Sequence, residues 1–172
     1  MSPTRRQLIA ASAVAAASVA PAAPASAPGR PSMIRPPRLR PGDTLALVNP
    51  SGAIYERAPY EIATESLQAL GFKVREAPNL RARRGHLAGT DAQRAGDLNA
   101  MFADPGVQGI LALTGGSGGN RILPLLDYEA IRRNPKFLGG FSDTTALINA
   151  VQARTGLVTF HGPVGVSEWN TF

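Results

Sequence analysis

The sequence contains no cysteine, and only 6% of its 172 residues are aromatic. The first absence excludes a disulfide scaffold and any thiolate-ligated metal site. Histidine is nearly as scarce, so an imidazole base could come only from His86 or His161. Acidic residues are missing from the whole stretch before Asp43. There is also no run of roughly 20 strongly apolar residues, which argues against a membrane span.

What is present is an uneven distribution of charge. The chain carries 18 Lys+Arg against 12 Asp+Glu, a formal charge of +6. Arg5, Arg6, Arg30, Arg35, Arg38 and Arg40 all precede Pro41, and the remaining 12 basic residues face all 12 acidic ones. The body of the chain is therefore neutral and carries no electrostatic footprint for nucleic acid.

The excess belongs to a leader. Thr4-Arg5-Arg6-Gln7 precedes an Ala-rich apolar run from Leu8 to Ala20, followed by small residues at Ala23-Pro24-Ala25 and Ala25-Ser26-Ala27. A charged start, a short apolar run and small-residue cleavage options form a signal peptide, and the paired arginines point to the twin-arginine route. Residues 1–27 are thus expected to direct export to the periplasm, with cleavage near Ala25. Residues 28–40 read as a Pro/Arg linker, and a folded domain is expected over 41–172.

Within that domain short apolar runs alternate with helical patterns. Strands are expected at Thr44–Val48, Phe72–Val74, Gly109–Leu113, Phe137–Phe141 and Leu157–Phe160. Helices are expected over Tyr60–Leu70, with Ile62, Leu67 and Leu70 at helical intervals, and from a capping box at Thr90–Gln93 through Leu98 and Phe102. Two more are expected around Ile122–Arg133 and Thr144–Arg154. Strands that are apolar on both faces and alternate with helices give an α/β class, a parallel sheet with flanking helices. Ligands in such sheets bind beyond the carboxyl ends of the strands. That selects Asn49-Pro50-Ser51-Gly52, the loop Gly115–Asn120, and Ser142-Asp143 as candidate site segments.

The glycine loop invites several chemistries. Thr114-Gly115-Gly116-Ser117-Gly118-Gly119-Asn120-Arg121 runs from an expected strand into an expected helix, and its amides can approach a ligand closely. Gly115-Gly116-Ser117-Gly118-Gly119 fits the G-x-S-x-G nucleophile elbow, which nominates Ser117. A flexible turn is the bland alternative. A phosphate loop fits less well, because no Gly-Lys-Ser/Thr follows and Arg121 replaces the third glycine of a dinucleotide loop. His161, in Phe160-His161-Gly162-Pro163, and Asp143 could complete a Ser117/His161/Asp143 set. Asp143 also reads as a helix cap, and Arg81, Arg83 and Arg84 as a solvated face.

Taken together, these blocks resemble the LD-carboxypeptidase family, serine peptidases that trim tetrapeptide stems of bacterial cell wall. The resemblance runs from Leu39-Arg40-Pro41-Gly42-Asp43 through Val48–Gly52, Leu87-Ala88-Gly89-Thr90-Asp91, Asp97-Leu98-Asn99 and Gly115–Asp127 to Gly140-Phe141-Ser142-Asp143 and Thr159–Pro163. It implies a flavodoxin- or Rossmann-like three-layer N-terminal domain of a two-domain hydrolase that uses no metal and no cofactor. Its substrate would be a small muropeptide, and it leaves the oligomeric state open. A Ser on the glycine loop would attack the peptide carbonyl, loop amides at Gly115, Gly116, Gly118 and Asn120 would hold the oxyanion, and a Glu and a His would come from a C-terminal domain. Ser51, Ser142, Asp143 and His161 would stand at the site edge.

Two features depart from the family pattern. The family register puts Gly119 where the nucleophilic Ser belongs and Ser117 at an aromatic position, with Ser117 as a substitute hydroxyl. The chain also ends soon after the His-Gly-Pro block, so a truncated N-terminal domain is expected. Both weigh against hydrolysis by the chain as written. The alternative is a catalytically inactive domain that binds a muropeptide or another acyl-amino acid.

Overall fold

The computed structural model describes residues 31–167. The expected leader over 1–27, the first residues of the linker and the terminal Glu168–Phe172 lie outside the described residues. Five parallel strands form one sheet in the order β2-β1-β3-β4-β5. They are β1 (Thr44–Val48), β2 (Lys73–Glu76), β3 (Gly109–Ala112), β4 (Phe137–Gly140) and β5 (Phe160–His161). Helices α1 (Ala58–Ala69), α2 (Asp91–Ala103), α3 (Tyr128–Arg133) and α4 (Thr144–Thr155) provide the connections, and a 3-10 helix spans Gly119–Leu125.

The alternation within β1 divides the core. Leu45 and Leu47 join Leu111, Leu113 and the α1 residues Tyr60, Ala63 and Leu67 on one face. Ala46 and Val48 join Ile110, Leu138, the α2 residues Leu98 and Phe102, and the α4 residues Leu147, Ile148 and Val151 on the other. The strands need apolar side chains on both faces because helices cover both, which makes this a three-layer α/β fold.

Local chemistry accounts for the element ends and for three differences from the sequence reading. Thr90 caps α2 with the full reciprocal box: its Oγ1 accepts from Gln93 N at 3.1 Å, and Gln93 Oε1 accepts from Thr90 N at 2.9 Å. The first difference is in α1, which buries Tyr60, Ala63 and Leu67 while Ile62 and Leu70 are exposed. The second is the single helix expected around 122–133. Pro124 lacks an N–H to sustain an α-helix, and the segment divides into the 3-10 turn and α3, which Asp127 caps by accepting from Ala130 N at 2.8 Å.

The third difference concerns the segment read as a linker. Residues 31–40 pack onto the domain. Ile34 N donates to Gly156 O at 2.8 Å and Ile34 O accepts from Val158 N at 2.8 Å, forming a parallel bridge to Leu157. Ile34 and Leu39 pack against the two cores. Two apolar side chains among prolines are enough to hold such a strap when a neighbouring backbone offers unpaired groups. Leu157 therefore bridges to this strap, and β5 shrinks to two residues.

Candidate active site

The sheet order reverses between β1 and β3, and in open α/β sheets ligands sit beyond the strand ends at such a point. The loops that leave β1 and β3 meet there backbone to backbone. Gly52 N donates to Gly115 O at 3.0 Å, and a Cβ on Gly116 would stand 2.9 Å from Gly52 Cα. Gly116 (φ 118°) and Gly118 (φ 89°) lie in the left-handed region, so the loop needs glycine for conformation as well as space. Gly115 is buried under Ser142, whose Cβ lies 2.7 Å from the point where a Gly115 Cβ would be. Ser142 itself holds a left-handed φ of 60°.

Asp143 reaches across to the same loop. It stands at the N-cap position of α4, but its side chain makes no capping bond. Instead Asp143 Oδ2 accepts from Gly119 N at 2.6 Å. A Cβ on Gly119 would meet that oxygen at 2.8 Å and Ser51 Oγ at 3.1 Å. Ser51 is fully buried with its hydroxyl unpartnered, as are the side-chain polar atoms of Asn49 and Thr144. Ser117 and Asn120 are exposed on the loop.

The structure does not join Ser117, His161 and Asp143 by hydrogen bonds. The Asp143 carboxylate is taken by Gly119 N, and the exposed His161 ring stands edge-on to Phe141, 6.4 Å between centroids. His86 contributes its backbone, where its carbonyl accepts from Ala53 N at 2.9 Å. Among the described residues no His/Asp/Glu group is placed to hold a metal ion, and no helix is long and apolar enough to cross a membrane.

One residue that organises these loops was not singled out from the sequence. Arg94, 2% exposed on α2, donates through Nη1 to Pro50 O at 2.5 Å and to Gly118 O at 2.9 Å, and through Nη2 to Asp91 Oδ1 at 2.5 Å. Arg121, on the 3-10 helix, donates to Asp91 Oδ2 at 2.9 Å. Desolvation works to raise the Asp91 pKa, but the hydrogen bonds from Arg121 and Arg94 outweigh it and hold the carboxyl below its usual range. The available signal was the spacing of Arg94, Leu98 and Phe102, which places a cation on the buried stripe of the helix.

Comparison with known proteins decides the family. The model of the LD-carboxypeptidase N-terminal domain matches residues 45–162. The chain belongs to the LD-carboxypeptidase family. It is 43% identical over 136 residues to a Streptomyces coelicolor protein whose own carboxypeptidase assignment is provisional, covering 77% of this chain and 44% of that one. It is 36% identical over 121 residues to the murein tetrapeptide carboxypeptidase of Pseudomonas aeruginosa, covering 70% of this chain and 39% of that one. Among solved structures, the microcin C7 self-immunity protein MccF, known from Escherichia coli, in complex with aspartyl sulfamoyl adenosine, aligns with a TM-score of 0.72 and 33% identity over 81% of this chain and 41% of that one. The chain thus spans about two fifths of the length of the curated relatives it matches.

Proposed function

We propose that this chain is the substrate-loop domain of an exported LD-carboxypeptidase-type protein, and that it binds a murein peptide at the glycine loop without cleaving it through a serine at position 119. The observation that carries this reading is the state of Gly119. The sequence resemblance puts the family nucleophile at this position; here it has no side chain, and its N–H is given to a carboxylate lying where that side chain would be. The Ser117 hydroxyl starts from a backbone position two residues earlier on a tight turn, and attack needs the nucleophile about 3 Å from its base.

Hydrolysis through Ser117 is the second reading. It is favoured by the exposure of Ser117, whose hydroxyl forms no hydrogen bond among the described residues. Both readings are separated by incubating the purified chain with a murein tetrapeptide, measuring binding by calorimetry and free D-Ala by chromatography. Binding without release is expected. Release of D-Ala that Ser117→Ala abolishes would overturn the proposal, and Gly119→Ser beside it reports whether the family nucleophile alone restores cleavage. Aspartyl sulfamoyl adenosine is the second ligand to titrate, since it is an aminoacyl derivative in complex with MccF. Export through the twin-arginine route rests on Arg5-Arg6 and the apolar run that follows, and an Arg5→Lys/Arg6→Lys pair is expected to retain the protein in the cytoplasm. Unchanged secretion would remove that part of the reading.

A further inference from the structure

The peptide unit between Gly118 and Gly119 is polarised from both ends. Its carbonyl accepts from the buried Arg94 guanidinium at 2.9 Å, and its N–H donates to the Asp143 carboxylate at 2.6 Å. Hydrogen bonds in series strengthen one another, so a cation on the oxygen makes the N–H a better donor. The charges at the loop fit an anion there: Arg94 and Arg121 share the single carboxylate of Asp91, and the second positive charge is matched in the unliganded loop by the carboxylate of Asp143. Next to the amide, Ser51 Oγ is fully buried without a partner and lies 3.1 Å from the point where a Gly119 Cβ would sit. A buried hydroxyl costs free energy unless something bonds it.

We propose that the Gly119 amide and the Ser51 hydroxyl form a recognition subsite for the carboxylate of a short peptide, and that Asp143 is its built-in occupant when no ligand is present. The inference rests on the reading of this loop as a peptide site and names the group recognised there. Gly119 is essential to it, because a side chain at 119 would occupy the volume now held by Asp143 Oδ2. The incoming carboxylate displaces Asp143 by rotation of its side chain, then accepts from Gly119 N and from Ser51. No bond is made or broken.

The test is titration of the full chain with N-acetyl-D-alanine and with its uncharged amide, followed by calorimetry and by the Gly119 amide signal in NMR. Asp143→Ala removes the internal competitor and is expected to bind N-acetyl-D-alanine about tenfold or more tightly than the unmodified chain, the worth of a charge-assisted hydrogen bond. The Gly119 signal should move with the acid and stay in place with the amide. The Asp143→Ala/Gly119→Ala double variant is expected to lose the gain. Asp143→Asn, which keeps a neutral acceptor, should fall between and serves if the alanine variant does not fold by circular dichroism. Equal binding of acid and amide, a still Gly119 signal, or no gain on removing Asp143 would overturn the subsite. If a murein tetrapeptide binds while Asp143→Ala gives no gain, the subsite fails and the proposed function stands. If Asp143→Ala binds N-acetyl-D-alanine but no tetrapeptide, the reverse holds.

Discussion

Replacing Arg94 by Met should loosen the site more than the rest of the molecule. The substitution keeps an apolar stem of similar length but removes the guanidinium, which is 2% exposed. The bonds it loses are unequal. Gly118 O still accepts from Arg121 N at 3.2 Å, and Asp91 keeps Arg121 and partial contact with solvent. Pro50 O, in contrast, is left buried with no donor. An orphaned buried carbonyl plus the loss of charge-assisted bonds gives about 2–4 kcal/mol. For a chain of this size that corresponds to a fall in Tm of roughly 5–12 °C. Denaturant unfolding measures the total, and hydrogen exchange locates it. Exchange at Gly52 N and Gly119 N should quicken beyond the global change, because these amides hold the loops that Arg94 ties together. Arg94→Lys should lose less, since one ammonium can bond Pro50 O but cannot span to Asp91 as well. A loss below about 1 kcal/mol, or one spread evenly over all amides, would refute the claim that this guanidinium fastens the site.

Three further predictions use other residues. Gly96 lies exposed within α2 with nothing within 4 Å of an added Cβ, so Gly96→Ala should stabilise by about 0.5–1 kcal/mol. Gly116→Ala should destabilise by at least about 1–3 kcal/mol, since its φ is +118° and the added methyl meets Gly52 backbone, and equal effects in denaturant unfolding would contradict both assignments. Asp97, buried on α2, has its pKa raised by desolvation, which the bonds from Asn79 N and Nδ2 only partly offset. The folded state then holds a proton that the unfolded state has released, so this group's contribution falls as pH rises from the unfolded value of about 3.9 to the raised folded value. The stability of the unmodified chain minus that of Asp97→Asn should decline across that window, and a difference independent of pH would contradict the assignment.

Much of the architecture was legible because it is written in local chemistry. The apolar run Thr44–Val48 cannot be anything but a doubly covered strand once its Leu and Val side chains alternate between two cores. The Thr90–Gln93 box places the start of α2 to the residue, and the glycine loop reads as a tight turn, where two of its members, Gly116 and Gly118, hold left-handed angles. What could not be read locally depended on partners distant in sequence. Ile34 looks like part of a proline-rich linker until Leu157 offers its backbone. Asp143 looks like a cap until Gly119 N comes within 2.6 Å of its carboxylate, and Arg94 looks like one more surface arginine until Pro50 and Gly118 close over it.

By itself, then, the sequence determined the class of fold, the three loops that gather at the strand ends and the absence of a serine at position 119, since periodicity, capping and side-chain identity are properties of short stretches. Only the tertiary structure decided what fills the place of that missing side chain. An Asp 24 residues away can take the Gly119 amide because α4 starts beside the β3 loop and because glycine leaves the carboxylate room to enter.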